Sequence, residues 1–366
     1  MRARSADVLD LTESNPTRVG LRYPEALLAP LSGPRGLSYQ PDPRGLQGAR
    51  EAIAEDCARR GARVDPADVV LTASTSEAYS WLFKLLCNPG DSVLVPRPSY
   101  PLFEHLTRLE GVRVEPYDLT YHGRWEVDLA SLQSASSDVR VVLAVSPNNP
   151  TGSYISASDL DGLSAFCRAR ACPLIVDEVF ADYPLDAPSS LTDVAVKADA
   201  LLTFTLAGFS KSVGLPQLKL AWIIVGGPPS ERAAALAALE LIADTYLSVG
   251  TPVQEAARDI LEHAAPVRAA IHDRVRKNLE IVRREVARHP SCELLRAEGG
   301  WSAVIRIPAI GSEEEFVVGL LEQEHVLVHP GFFFDFAAEA YVVASLLPPS
   351  DVFSAACARM LARADR

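Results

Sequence analysis

VRVVLAVSPNNPTGSYISASDLDGLSAFCRARACPLIVDEVF, residues 139–180, is the stretch on which the fold turns. Val139–Val145 is an apolar run broken only by Arg140, the pattern of a strand covered on both faces. Ser156–Arg170 follows with helical spacing and opens on Ser156, a good N-cap. Leu174–Val176 is apolar again and ends on Asp177. Outward from this unit the alternation continues. Val69–Thr72, Ser92–Val95, Leu201–Leu206 and Leu220–Val225 read as further strands, and Glu77–Leu86 and Pro101–Leu109 as helices. Apolar strands separated by helices predict an α/β fold, a mainly parallel sheet with helices on both faces in three layers. In such sheets ligands bind beyond the carboxyl ends of the strands, so the informative residues should stand just after strands.

The flanks read differently. Residues 1–34 are rich in Pro and Gly and suggest an arm. Gly45–Arg60 is a helix stopped by Gly61. From Pro252 to His289 the chain is helical and dense in Arg and Glu. Beyond Pro290 short strands (Ala303–Ile307, Val326–Val328, Tyr341–Ser345) mix with two helices. The expected division is an arm over 1–34 that joins a smaller α+β domain, a large domain over 35–251, and an interdomain helix with the rest of the small domain over 252–366. A length of 366 residues suits one large unit plus a smaller one.

Composition narrows the function. Hydrophobic residues make up 48% and charged residues 22%, and the net charge is −12. An acidic chain of this kind has no electrostatic footprint for nucleic acid or an anionic membrane. No stretch approaches the ~20 apolar residues that span a bilayer. The N-terminus carries two arginines with no apolar run behind them, unlike a secretory signal. Cysteines 57, 87, 167, 172, 292 and 357 show no metal-ligand spacing and read as thiols of a reducing compartment, with no metal site. The expected location is the cytoplasm.

Four features follow predicted strands in order. Ser74-Thr75-Ser76 precedes a helix, where small hydroxyl residues serve either as a cap or as donors to a phosphate. Ser146–Gly152 is a turn rich in Asn and Pro that would aim Asn149 into a cleft. Asp177 is a carboxylate at the end of a buried strand, which needs a cation or donor such as a pyridinium N–H. Lys211, flanked by Ser210 and Ser212 after an apolar strand, can be dehydrated and held as a neutral amine, as imine formation requires. Singly, each also has an ordinary reading as cap, turn, strand-end acid or surface lysine.

Together they resemble the class I/II aminotransferases, the fold-type-I group of pyridoxal-phosphate enzymes. Tyr39–Leu46 (YQPDPRGL) resembles the YxPxxGL segment and Pro96–Pro101 the PxY strand end. Asn149–Gly152 resembles NPTG and Asp177–Phe180 resembles DE(V/A)Y. Ser210-Lys211 with Lys219 resembles the SK…R block. The resemblance implies pyridoxal 5′-phosphate held as a Schiff base on Lys211, which also moves the substrate Cα proton. It implies that Asp177 keeps the pyridine nitrogen protonated, that Asn149 bonds the phenolic oxygen and that Tyr100 stacks on the ring. Ser74, Thr75, Ser76, Ser210 and Lys219 would lie around the phosphate. Tyr39 would reach the phosphate of a neighbouring subunit, implying a homodimer with shared sites.

Three positions depart from that pattern. Lys219 replaces an arginine and loses its bidentate fork. Phe180 replaces a tyrosine that donates to the phenolic oxygen, and nearby Tyr183 is a candidate substitute that the sequence does not place. Val343, in Tyr341–Leu346, stands where the family carries the arginine that grips the substrate α-carboxylate. Arg18 and Arg22 are the candidates to replace it. The expected activity is transfer of an amino group between an amino acid and a 2-oxo acid. The alternatives are a lyase, decarboxylase or cyclase on an atypical amino substrate, and a non-catalytic cofactor-binding dimer. Phe332–Phe336 reads either as the lining of an apolar substrate pocket or as packing of the small domain. Substrate, acceptor and assembly beyond a dimer are not written in the sequence.

Overall fold

The computed structural model describes residues 8–186 and 200–366. The first seven residues of the predicted arm, with both of its leading arginines, lie outside them.

Strand β1 is Leu9–Asp10. The large sheet then takes β2 (Val69–Thr72), β3 (Ser92–Arg97), β4 (Arg113–Tyr121), β5 (Trp125–Val127), β6 (Val139–Val145), β7 (Leu174–Asp177), β8 (Thr203–Gly208) and β9 (Ala221–Gly226). Their order is β2-β9-β8-β7-β6-β3-β4-β5. The β4–β3–β6–β7–β8 run is parallel. β9 is antiparallel to both β8 and β2, and β5 to β4. The remaining strands are β10 (Glu293–Leu294), β11 (Ser302–Arg306), β12 (Val326–Leu327), β13 (His329–Pro330) and β14 (Tyr341–Ser345). Of these, β10-β11-β14-β13 form a second, antiparallel sheet, and β12 pairs in parallel with β1. The arm is thus hydrogen-bonded to the C-terminal region. The Ser345 amide also donates to the Leu11 carbonyl at 2.7 Å.

Residues alternate across the large sheet as a strand buried on both faces requires. Val141, Leu143 and Val145 pack on one side with Trp81, Phe83 and Leu239, under the helices Thr75–Leu86 and Pro229–Tyr246. Val142, Ala144 and Val176 face the other side with Leu160 and Leu163 of the helix Ala157–Arg170. Ser156 closes that helix with the capping box to Asp159 that its sequence announces. A third core, with Phe209, Trp222, Ile271 and Phe353, runs from the large sheet into the C-terminal layer without a break.

Two elements differ from expectation. β4 and β5 were not foreseen. β4 carries Pro116 and alternates poorly, as strands near a sheet edge can, because one side of their ladder has little to satisfy. The helical stretch after Pro252 divides into Thr251–Glu255, Ala257–His263 and Ala265–Val286. Pro252 and Pro266 lack the N–H an interior position would use, so each falls in the first turn of a new helix.

Candidate active site

Five segments reach one edge of the large sheet. β2 leads into Ser74–Ser76, β3 into Tyr100, β6 into Asn149, β7 ends on Asp177, and β8 leads into Ser210 and Lys211. β6, β7 and β8 are adjacent in the sheet and parallel, so residues far apart in the chain are brought side by side. They line a cavity of about 340 Å³, together with Tyr79, Phe180, Trp301 and Ser302.

Lys211 lies on the single-turn helix Phe209–Ser212. Its Nζ is 5.0 Å from the centroid of Trp301 and 5.6 Å from that of Phe180. Part of its surface opens to the cavity, and the rest is covered by protein. Dehydration pulls the amine down to about 8, although Asp177 holds the charge in the other direction. Asp177 shows the opposite shift. Burial pushes its carboxyl up to about 6, opposed by the Tyr79 hydroxyl, the Val179 amide and the charge of Lys211. Tyr79 donates to Oδ2 at 2.7 Å and the Val179 N–H to Oδ1 at 3.0 Å.

At the helix start, the Ser74 hydroxyl accepts from the Glu77 N–H at 3.1 Å and serves as the cap. The first-turn amides of Thr75 and Ser76 have no acceptor within the helix, and with their hydroxyls they form a donor cluster at its positive end. The Asn148 side chain is 3% exposed and locks the turn, donating to the Pro98 carbonyl and to Thr151 Oγ1. Asn149 Oδ1 accepts from Ser302 Oγ at 3.3 Å, which leaves Nδ2 as a donor for a ligand.

The predicted residues Lys211, Asp177, Asn149, Tyr100, Ser74, Thr75, Ser76 and Ser210 therefore meet in one cavity. Others do not join them. Lys219 is exposed in a left-handed turn and is not in the lining. Arg18 and Arg22 are exposed on the arm and line neither this cavity nor the one beside it. Tyr39 is 75% exposed and borders a different pocket. Tyr183 is not placed to replace the phenol missing at Phe180. It is fully buried, and its hydroxyl donates to the Lys211 carbonyl at 2.7 Å.

Tyr79 and Trp301 were missed. Tyr79 sits one turn beyond Ser76 in what reads as ordinary helix interior. Trp301 arrives through a clasp between two loops, in which the Glu298 and Gly299 amides donate to the Gly152 carbonyl at 3.1 and 2.9 Å. Gly152 has φ +70°, and a Cβ there would meet the Gly299 carbonyl oxygen at 2.6 Å. The Gly299-Gly300-Trp301 run is the one sequence signal that pointed there.

The residues present fit pyridoxal phosphate. A dehydrated amine, a buried carboxylate prepared to meet a protonated nitrogen, a donor amide and a hydroxyl-rich helix start share one cavity large enough for a small ligand. Fold and site together define a pyridoxal-phosphate-dependent transferase. The chain belongs to the class I and II aminotransferases, whose family pattern matches residues 7–346. It is 25% identical over 371 aligned residues to the alanine aminotransferase of Mycobacterium tuberculosis, covering 98% of this chain and 86% of that protein. It is 29% identical over 334 residues to an arginine–pyruvate transaminase of Pseudomonas aeruginosa, covering 89% and 82%. The structure of an alanine aminotransferase from Pyrococcus furiosus superposes with a TM-score of 0.90 at 22% identity, over 99% of this chain and 93% of that one, a likeness of fold. The family moves amino groups between amino acids and 2-oxo acids with pyridoxal phosphate as cofactor. No helix among the described residues is long and apolar enough to cross a membrane.

Proposed function

We propose that Lys211 carries the cofactor and is the base of an amino-group transfer performed in this cavity. The observation behind this reading is the pairing of a dehydrated lysine with a buried carboxylate at adjacent strand ends. When bound, pyridoxal phosphate supplies the electron sink that makes a substrate Cα–H acidic. Lys211 Nζ, whose proton affinity is lowered by dehydration, takes that proton and returns it. Asp177 holds a positive charge against its carboxylate, and Tyr79 keeps that carboxylate oriented. Thr75, Ser76 and Ser210 would hold the phosphate, Asn149 Nδ2 would donate to the cofactor, and Tyr100 would lie against it. Trp301 and Phe180 exclude water around the amine. The exposure of Tyr39 fits a homodimer in which it completes a neighbour's site.

Purified protein should absorb visible light, and borohydride should fix the cofactor to Lys211. Lys211→Ala should abolish the fixed adduct. Wild-type protein that binds no pyridoxal phosphate would overturn the reading. An amino-donor panel that converts the cofactor to its amine form supports transfer, whereas release of ammonia or CO₂ with no need for a carbonyl acceptor points to the lyase alternative.

A further inference from the structure

Beside the cavity that holds Lys211 lies a second of about 390 Å³, and both are walled in part by Ser14, Tyr100, Leu102, Asn149 and Ser302. Its inner wall includes β13 and β14, where His329 stands opposite Val343 in the ladder. Directly opposed residues of an antiparallel pair share a face. His329 stacks on Phe333, with centroids 4.9 Å apart and planes at 7°, and meets Phe334 edge-on at 5.6 Å. Val343 packs with Trp125, Val304 and Phe334. Burial pushes the His329 imidazole below its usual value, with the Asp10 carboxylate opposing, which favours its neutral form.

Among the described residues no arginine lines either cavity, and Lys211 is the single lysine. The hydroxyls are committed as well. Of four aliphatic hydroxyl side chains in the second cavity, three already donate to the protein: Thr12 to Asp10 at 2.6 Å, Ser345 to the Glu13 carbonyl at 2.7 Å, and Ser302 to Asn149 at 3.3 Å. His105 stands exposed at the rim. A carboxylate entering this space would exchange its water for ring faces and few open donors, with no arginine or lysine among the wall's described residues to meet its charge. An uncharged apolar group meets no such penalty and gains buried area.

We infer that this chain recognises its amino substrate by an uncharged aromatic group seated against Val343, His329 and Phe333, with no anchoring of a free α-carboxylate. The substrate class is arylalkyl primary amines and neutral derivatives of aromatic amino acids, such as amides. This deepens the transferase reading and rests on it. In the transfer the donor carbon is oxidised from amine to carbonyl while an acceptor carbonyl is reduced to an amine, so no outside oxidant is needed.

The holoenzyme is mixed in single turnovers with phenethylamine, phenylalaninamide, phenylalanine and glutamate, and conversion of the cofactor is followed by absorbance. In parallel, calorimetry compares the unreactive pair hydrocinnamide and hydrocinnamate. The expected result is kcat/KM for the two aromatic donors without a carboxylate at or above that for phenylalanine, with glutamate poorest, and hydrocinnamide bound at least as tightly as hydrocinnamate. A preference for phenylalanine or glutamate of ~100-fold or more, the size of an anchored charge pair, overturns the inference and leaves the transferase reading standing. Conversion by none of the four overturns the proposed substrate class, while the borohydride-fixed adduct and a wider donor panel decide the transferase reading separately. Val343 is too deeply packed for a safe charge insertion. Phe333→Ala, at a position 44% exposed, should lower kcat/KM for phenethylamine by about tenfold through lost apolar burial, and an unchanged value overturns the place given to Phe333.

Discussion

At the scale of single residues, the site rests on two ionisable groups whose enclosure pushes them towards neutrality. The Lys211 amine falls to about 8 and the Asp177 carboxyl rises to about 6. With the lysine at about 8, about one amine in ten is unprotonated at pH 7, against fewer than about one in a thousand at the ordinary value. Competitive acetylation read by mass spectrometry should show Lys211 in the cofactor-free protein titrating near pH 8 rather than 10.5. The same shift bears on stability. The unfolded chain keeps its lysine proton up to 10.5, so the lysine's contribution opposes folding below about pH 8. That penalty lifts as pH rises from about 8 towards 10.5. Tyr79 bears on the other group. Tyr79→Phe removes the donor at 2.7 Å that favours the ionised Asp177, so the Asp177 carboxyl should rise further. Cofactor retention should weaken by roughly tenfold, the scale of a hydrogen bond to a charge, and the acid limb of its pH profile should move upward. Lys211 and Asp177 were legible because strand-end position and neighbours mark them. Tyr79 was not, because its role depends on where the helix Thr75–Leu86 lies against β7.

At the scale of elements, short turns carry the precision. Ser74 caps its helix through the Glu77 amide, so Ser74→Ala should cost about 1 kcal/mol in denaturant unfolding and loosen the donor cluster at Thr75 and Ser76. The clasp around Gly152 should be less forgiving. Its φ of +70° and the 2.6 Å approach to the Gly299 carbonyl leave no room for a methyl group. Gly152→Ala should destabilise by roughly 2 kcal/mol or more and shift the fluorescence of Trp301, whose loop must move. Retained stability with unchanged fluorescence would show that the loops are not coupled. The parallel strands β3, β6, β7 and β8 were legible from apolar runs. The β4–β5 ribbon was not, because a strand near the edge need not be apolar on both faces.

At the scale of the whole molecule, one long-range connection closes the cavity wall, and a second belongs to the proposed homodimer. The arm pairs through β1 with β12, and the Ser345 side chain donates to the Glu13 carbonyl. That places Thr12 and Ser14 in the cavity wall. Deleting residues 1–12 should lower the thermal midpoint and raise donor KM while leaving the borohydride-fixed adduct intact. The proposed homodimer would supply the second. If Tyr39 serves a neighbour, coexpressed Tyr39→Phe and Lys211→Ala chains should give mixed dimers with one native site. The Lys211-bearing site should then hold the cofactor as tightly as wild type, and a site weakened to the level of the Tyr39→Phe homodimer would exclude sharing.

The mainly parallel three-layer sheet, and the standing of Lys211 and Asp177 at or just after strand ends, were legible in the sequence. Those properties are local: apolar runs select buried strands, turn residues select their ends, and β8 delivers Lys211 wherever it lies. Only the tertiary structure decided what surrounds the amine. Trp301 comes from the far side of a loop clasp, Tyr183 is spent on a backbone carbonyl, and Lys219, Arg18 and Arg22 remain outside the lining. Direction of a side chain and competition for its hydrogen bonds depend on neighbours distant in the chain, and packing settles those neighbours. The loss of an arginine at Val343 was visible as a letter, but the neutral aromatic wall around it emerged only once β13 was laid beside β14.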